Sequence, residues 1–309
     1  MQIVLQLGLL VLGFVMLVKG SDWFVDGAAG IAAKFRIPQI IIGLTIVAMG
    51  TSAPEAAVSI TAAMGGSADI TVGNIVGSNI LNVLVILGLA SAIVPIAVGK
   101  STLKIDLPFM IAISVIFLLL GWDGTVTRID GLVLIAFFVA YIAYMIWEAL
   151  HSNEEGDEIK DMPVWKMLLS TVIGLALVVW GADVAVDAAT KLAETFGMSK
   201  RFIGLTVVAL GTSLPELFTS VTAARKGNAD IAIGNIVGSN IFNILFVVGL
   251  SSMVINVPFA ANFRIDMLVA IAASAFVWLA ALRSRKLARW AGFTMLLGYV
   301  GYFIYLLMV

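Results

Sequence analysis

GLTIVAMGTSAPEAAVSITAAMGGSADITVGNIVGSNILNVLVILGLA, residues 43–90, is written a second time at 204–251. The two stretches align without a gap at an offset of 161, with 30 of 48 positions identical. The likeness spreads to either side. Gly20, Asp22 and Asp26 return as Gly181, Asp183 and Asp187, and Ile105-Asp106 returns as Ile265-Asp266. A chain that writes one long stretch twice implies two units of one plan, and its composition says what solvent they face. Hydrophobic residues make up 61% of the 309 residues and charged residues 12%, against roughly 45–50% and about 25% in a soluble domain. Such a chain cannot clothe itself in polar surface. That excludes a soluble enzyme, a disordered chain and a nucleic-acid binder, and it predicts an all-α polytopic membrane protein. Cysteine is absent and His151 is the single histidine, so thiol chemistry and a multi-histidine metal site are excluded as well.

Apolar runs place ten spans at about 2–18, 38–64, 70–98, 105–121, 130–150, 164–181, 199–224, 230–256, 265–282 and 290–308. Met1–Val18 has no small-residue cleavage site behind it and reads as a span. Five spans per copy is an odd number, so the second copy enters the bilayer upside down. The predicted domains are a first five-helix repeat at 1–150, an acidic linker at 151–163 and a second, inverted five-helix repeat at 164–309. This is the plan of secondary transporters, with broken helices and the substrate site near the midplane. Thirteen of the 18 Lys and Arg residues, Lys19 and Lys226 among them, fall in loops after odd-numbered spans. The positive-inside rule makes those loops cytoplasmic and puts both termini outside.

Polar residues interrupt the apolar runs at two places in each copy. The first is Gly50-Thr51-Ser52-Ala53-Pro54-Glu55 and its copy Gly211-Thr212-Ser213-Leu214-Pro215-Glu216. Pro54 and Pro215 lack an N–H and free the carbonyls of Gly50 and Gly211, which survive in a membrane only where they line a cavity or bind something. Ala48, Thr51, Ser52 and Glu55 are three and four residues apart, so they share a helix face, as do Ala209, Thr212, Ser213 and Glu216. A charge at the bilayer centre marks function by default. Neither Glu has a Lys or Arg at that depth in its own span, so a bound cation or a proton must neutralise it.

The second place is Gly73-Asn74-Ile75-Val76-Gly77-Ser78-Asn79-Ile80-Leu81-Asn82 and its copy Gly234–Asn243. Gly73 and Gly77 form a small-residue stripe for close helix packing. Ser78, Asn82, Ser239 and Asn243 are the candidate site oxygens, and Asn74, Asn79, Asn235 and Asn240 divide evenly between packing and binding. The inventory is two carboxylates, hydroxyls, amide oxygens and carbonyls, with no nitrogen or sulfur ligand. Such a set suits Ca²⁺ and also Na⁺, and it disfavours soft metals.

The Gly-Thr-Ser-x-Pro-Glu motif followed by Gly-Asn-x-x-Gly-Ser-Asn, in two copies, resembles the paired repeats of the sodium/calcium exchanger family of cation/Ca²⁺ antiporters. The resemblance implies Ca²⁺ extrusion driven by Na⁺ entry through alternating access, in the plasma (inner) membrane of a prokaryote, with no resident cofactor. It also implies which groups coordinate: the Glu55 and Glu216 carboxylates, the hydroxyls of Thr51, Ser52, Thr212, Ser213, Ser78 and Ser239, the Ala48 and Ala209 carbonyls, and Asn82. One departure stands out. Members that resemble the well-described prokaryotic exchanger carry Asp where this chain has Asn243, so the site holds at most two negative charges and not three. That raises H⁺ as an alternative driving ion on the same two Glu residues.

The remaining features read more plainly. His151–Asp161 is a solvated linker without the spacing of an EF-hand loop. Asp22, Asp26, Asp183 and Asp187 read as solvated loop carboxylates near span ends. Arg283, Arg285, Lys286 and Arg289 read as an anchor on anionic lipid. An intramembrane hydrolase would need a nucleophile with a base, and no His or Lys reaches membrane depth. The expected partners are Ca²⁺, Na⁺ or H⁺, and the bilayer, with no nucleic acid and a monomeric state.

Overall fold

A computed structural model describes residues 2–151, 162–197 and 209–308. Eight helices in it are long and apolar enough to cross a membrane. They are α1 (Gln2–Lys34), α4 (Ile70–Ile93), α5 (Thr102–Leu120), α6 (Arg128–His151), α7 (Val164–Thr195), α9 (Ala229–Val254), α10 (Phe263–Leu282) and α11 (Arg289–Met308). A ninth crossing is the pair α2 (Gln39–Thr51) and α3 (Ala53–Met64), bent by 50°. Helix α8 (Leu214–Arg225) follows the short turn Ala209–Gly211. Ten spans are expected from the sequence. The seventh, 199–224, begins in residues outside the described ones, as does most of the acidic linker 151–163. The chain is mostly but not purely helical, because two-residue strands pair Ile96 with Leu287 and Val126 with Val257. They tie the loops of one half to those of the other.

The longest helices correct the reading of their charged ends. Helix α1 has 33 residues and α7 has 32. At about 1.5 Å per residue each is near 50 Å long, well beyond the ~30 Å apolar core of a bilayer. Lys19, Asp22 and Asp26 are therefore helical residues of α1, and Asp183, Asp187 and Lys191 of α7, not loop residues. A helix satisfies its own backbone, so it can continue past the apolar run at little cost. Lys226, at the end of α8, bonds Asp26 at 2.8 Å and approaches Asp22 at 3.3 Å.

What holds these two helices together is a seam of small residues. A Cβ on Gly13 would lie 2.8 Å from the Ala185 backbone, one on Gly20 2.9 Å from the Gly174 carbonyl, and one on Gly27 2.6 Å from the Thr171 backbone. Contacts that run forward on α1 run backward on α7, so the pair is antiparallel. Leu17, Val178, Ala182 and Ala185 form a buried cluster of their own, separate from the main core. Apolar side chains gain nothing from leaving lipid for each other, so close backbone approach carries the association. Gly174→Leu is expected to push α1 away, because a Cβ there meets the Phe24 amide at 2.4 Å. Overpacking of this kind costs about 1–3 kcal/mol. A melt in detergent, followed by size exclusion, should show a clear fall for Gly174→Leu. Gly8→Leu, where a Cβ meets no described atom within 4 Å, should melt like the parent. Equal melts for the two variants would contradict the seam.

The small-residue stripe predicted at Gly73 and Gly77 does its close packing in the other copy. A Cβ on Gly238 would lie 2.5 Å from the Leu44 carbonyl, and one on Gly234 3.0 Å from the Ile40 carbonyl. Gly73 and Gly77 meet no described backbone within 4 Å. Their matching partners, 204–208, lie outside the described residues.

Candidate cation site

Both Pro-Glu pairs start a helix. Ser52 (φ −83°, ψ 7°) and Ser213 (φ −89°, ψ 4°) leave helical geometry, and Pro54 and Pro215 stand in the first turn of α3 and α8. A proline is tolerated there because the missing N–H has no helical partner to lose. The chain is thus broken at this point, in keeping with the broken helices expected from the sequence. Glu55 and Glu216 sit in the same first turns, where the positive end of the helix dipole favours a carboxylate. The Gly50 and Gly211 positions lie against α7, near Leu175 and Val186.

The two carboxylates are buried, Glu55 at 1% exposure and Glu216 at 0%. Their hydroxyl partners are exchanged between halves. Ser52 donates to Glu216 Oε1 at 2.7 Å, and Ser213 donates to Glu55 Oε1 at 3.2 Å. Thr51 donates to Asn235 Oδ1 at 3.0 Å. Ser78 and Ser239 are buried, Ser78 Oγ being 3.5 Å from Ser213 Oγ and Ser239 donating to the Ala48 carbonyl at 3.4 Å. That carbonyl also accepts from the Ser52 amide and the Thr51 hydroxyl. Ala209 opens the turn Ala209–Gly211, which packs on α4.

Asparagines clamp this arrangement from both sides. Asn74 Nδ2 donates to Ser59 Oγ at 2.9 Å and to the Glu55 carbonyl at 3.3 Å. Asn235 does the same to Ser220 and the Glu216 carbonyl, at 2.8 and 3.5 Å. Asn79 and Asn240 each donate to the other's carbonyl at 3.3 Å. Asn82 Nδ2 binds Asn240 Oδ1 at 3.0 Å, and Asn243 Nδ2 binds Asn79 Oδ1 at 3.1 Å. Asn82 and Asn243 also open the π-helical stretches Asn82–Leu87 and Asn243–Val248. Such wider turns recur at functional sites.

With the amide nitrogens engaged, oxygens remain. Glu55 Oε2, Glu216 Oε2, Asn82 Oδ1, Asn243 Oδ1, Thr212 Oγ1 and Thr219 Oγ1 are buried without a hydrogen-bond partner among the described residues. A native protein keeps few such groups, and each calls for an explanation. Thr219 escaped the sequence reading. It stands one turn beyond Glu216, and that i+3 spacing was the signal. Ser59 and Ser220 were missed too, although each lies four residues past its Glu. Among the described residues no three His, Cys, Asp or Glu side chains gather, so neutral oxygens must supply most of any coordination. A cavity of about 630 Å³ reaches Pro54 and Thr212 and is lined on α7 by Asp183 and Asp187.

Membrane-crossing helices around a buried, oxygen-rich centre with two bare carboxylate oxygens define an ion transporter. Comparison with known proteins narrows the class. The family model described as "Sodium/calcium exchanger protein" matches residues 5–147 and 166–308. The putative antiporter CaxA of Alkalimonas amylolytica is 39% identical over 94% of this chain and 95% of its own. The sodium/calcium exchanger MaX1 of Methanosarcina acetivorans is 32% identical over 96% of this chain and 97% of its own. A solved structure of the sodium-calcium exchanger NCX_Mj, soaked with zero Na⁺ and Ca²⁺, superposes with a TM-score of 0.88 at 34% identity, covering 98% of this chain and 99% of that one. The chain belongs to the sodium/calcium exchanger family, and it is a transporter, not an enzyme.

Proposed function

We propose that the protein extrudes Ca²⁺ in exchange for Na⁺ by alternating access, with one site built by two inverted five-helix repeats of a ten-span chain. The observation that carries this reading is the set of unpartnered oxygens on Glu55, Glu216, Asn82, Asn243 and Thr212. A cation supplies the missing partner for all of them at once. Two ionised Glu residues balance one Ca²⁺ or two Na⁺. The hydroxyls of Thr51, Ser52, Ser78, Thr212, Ser213 and Ser239 and the Ala48 and Ala209 carbonyls complete the shell as occupants change. Both termini face outward in the inner membrane of a prokaryote, and the monomer needs no resident cofactor.

An exchanger needs its empty site to be unable to switch sides. Two bare carboxylates in a dry centre cost several kcal/mol each if moved through apolar surroundings, and that cost is the barrier. Occupancy removes it, so each ion shifts the same equilibrium and neither crosses alone. The moving unit is the α1/α7 pair, which has its own small core. Lys226 ties the Asp22–Asp26 end of α1 to α8. At the other end of the antiparallel pair, Asp183 and Asp187 line the cavity. This asymmetry supports a state closed on the first side and open on the second.

The rival driving ion is H⁺, favoured by the loss of a third carboxylate at Asn243. Counter-ion replacement separates the two. In proteoliposomes, Ca²⁺ uptake is expected to follow an imposed outward Na⁺ gradient and to stop when Na⁺ is replaced by choline. Uptake that follows a pH gradient in Na⁺-free medium would overturn the Na⁺ reading in favour of H⁺.

A further inference from the structure

Buried oxygens also go unpartnered at a second place, where α5 meets α6. Asp106 and Thr102 are each 1% exposed and Tyr141 is 5% exposed. Among the described residues, Asp106 Oδ1, Thr102 Oγ1 and the Tyr141 hydroxyl make no hydrogen bond. Tyr141 is held there by its ring, stacked on Phe109 at 5.1 Å, one turn along from Asp106. Glu148, on α6, acts electrostatically on both Asp106 and Tyr141 and accepts from Ser101 Oγ at 3.0 Å. Among the described residues, the ion pairs engage Lys191 and Lys226 alone, so neither acid here has a basic partner.

The second half shows the same place closed. Asp266 stands 160 residues after Asp106 and Tyr302 stands 161 after Tyr141. There the tyrosine donates directly to Asp266 Oδ1 at 2.9 Å. The second acid is missing too, since Glu148 corresponds to Met308 or Val309 at these offsets. One half has thus kept a satisfied Tyr–Asp pair, while the other has parted the pair and added a carboxylate. A water would satisfy the hydroxyls, but it would leave unanswered the repulsion that the half-exposed Glu148 exerts on the buried Asp106. A divalent cation answers both needs.

We propose that Asp106, Thr102, Tyr141 and Glu148 form a second Ca²⁺ site, apart from the exchange pathway. Two carboxylates match the charge, and the hydroxyls and residual waters suit a hard cation that takes oxygen ligands flexibly. In the orientation proposed above, the site lies at the cytoplasmic end of α5, where it meets the Ca²⁺ that the exchanger removes. Its existence does not depend on that orientation or on the exchange mechanism.

The test uses the full-length Glu55→Gln/Glu216→Gln chain, whose exchange site has lost both carboxylates, with ⁴⁵Ca²⁺ alone as the probe in equilibrium dialysis. One Ca²⁺ per chain is expected to remain bound. Adding Asp106→Asn is expected to weaken it tenfold or more, and adding Glu148→Gln, at a half-exposed position that tolerates the change, should weaken it in the same direction. No retained Ca²⁺ in a monodisperse sample would overturn the proposal, as would binding indifferent to both substitutions. A failure of the exchange-site reading looks different: the parent chain would then bind no more Ca²⁺ than the double variant.

Discussion

Glu55→Gln and Glu216→Gln are each expected to bring Ca²⁺ exchange down to background in proteoliposomes. Each change keeps the shape of the side chain and removes one of the two charges in the buried centre. Breaking one partner of a buried charge pair costs roughly 2–5 kcal/mol, on the order of a hundredfold in affinity or more. The hydroxyl bonds from Ser52 and Ser213 can persist to the amide oxygen, so loss of function would report on charge and not on collapse. A second consequence has the opposite sign. Without any cation, each Gln variant should melt higher than the parent, because an uncompensated buried carboxylate has gone. Ca²⁺ should raise the melting temperature of the parent by mass action and leave the variants almost unmoved. Near-normal flux from either variant would remove that residue from the site.

The second large effect concerns voltage. With Asn at both 82 and 243, the site carries two charges whether it holds one Ca²⁺ or two Na⁺, so exchange is expected to be close to electroneutral. Under a K⁺/valinomycin potential, the steady Ca²⁺ ratio across the parent proteoliposomes should barely move. Asn243→Asp restores a third carboxylate and calls for a further positive ion on the Na⁺ limb. One net charge per cycle is worth about 2.3 kcal/mol per 100 mV, so the ratio should then shift about tenfold for roughly 60 mV. A parent chain already that steep would contradict the two-charge account.

Some of this organisation can be read directly from the residues. The offset of 161 pairs Glu55 with Glu216 and Asn82 with Asn243 before any coordinates are known, because a repeated carboxylate in an apolar run has few structural uses. The break at Ser52 and Ser213 is visible only as a proline, and proline alone does not say whether a helix kinks or restarts. The crossing of partners, Ser52 to Glu216 and Ser213 to Glu55, is invisible in one dimension. Helical spacing within one copy puts Ser52 and Glu55 on a common face, and only the packing of one copy on the other reveals that they serve different carboxylates. The π-helical turns at Asn82 and Asn243 escape a search for a 3.6-residue period. The lengths of α1 and α7 were underestimated for a related reason. Hydropathy marks where lipid ends, while Gly13, Gly20 and Gly27 against α7 mark how far the helices stay together.

The most direct test of the central claim is a structure of the protein crystallised with Ca²⁺, with the ion located by its anomalous scattering. One ion is expected between the two halves, bonded to a carboxylate oxygen of Glu55 and one of Glu216 at about 2.3–2.6 Å, with Asn82 Oδ1 or Asn243 Oδ1 in its shell. An ion held by one of these glutamates alone, or a centre that stays empty at saturating Ca²⁺, would contradict it.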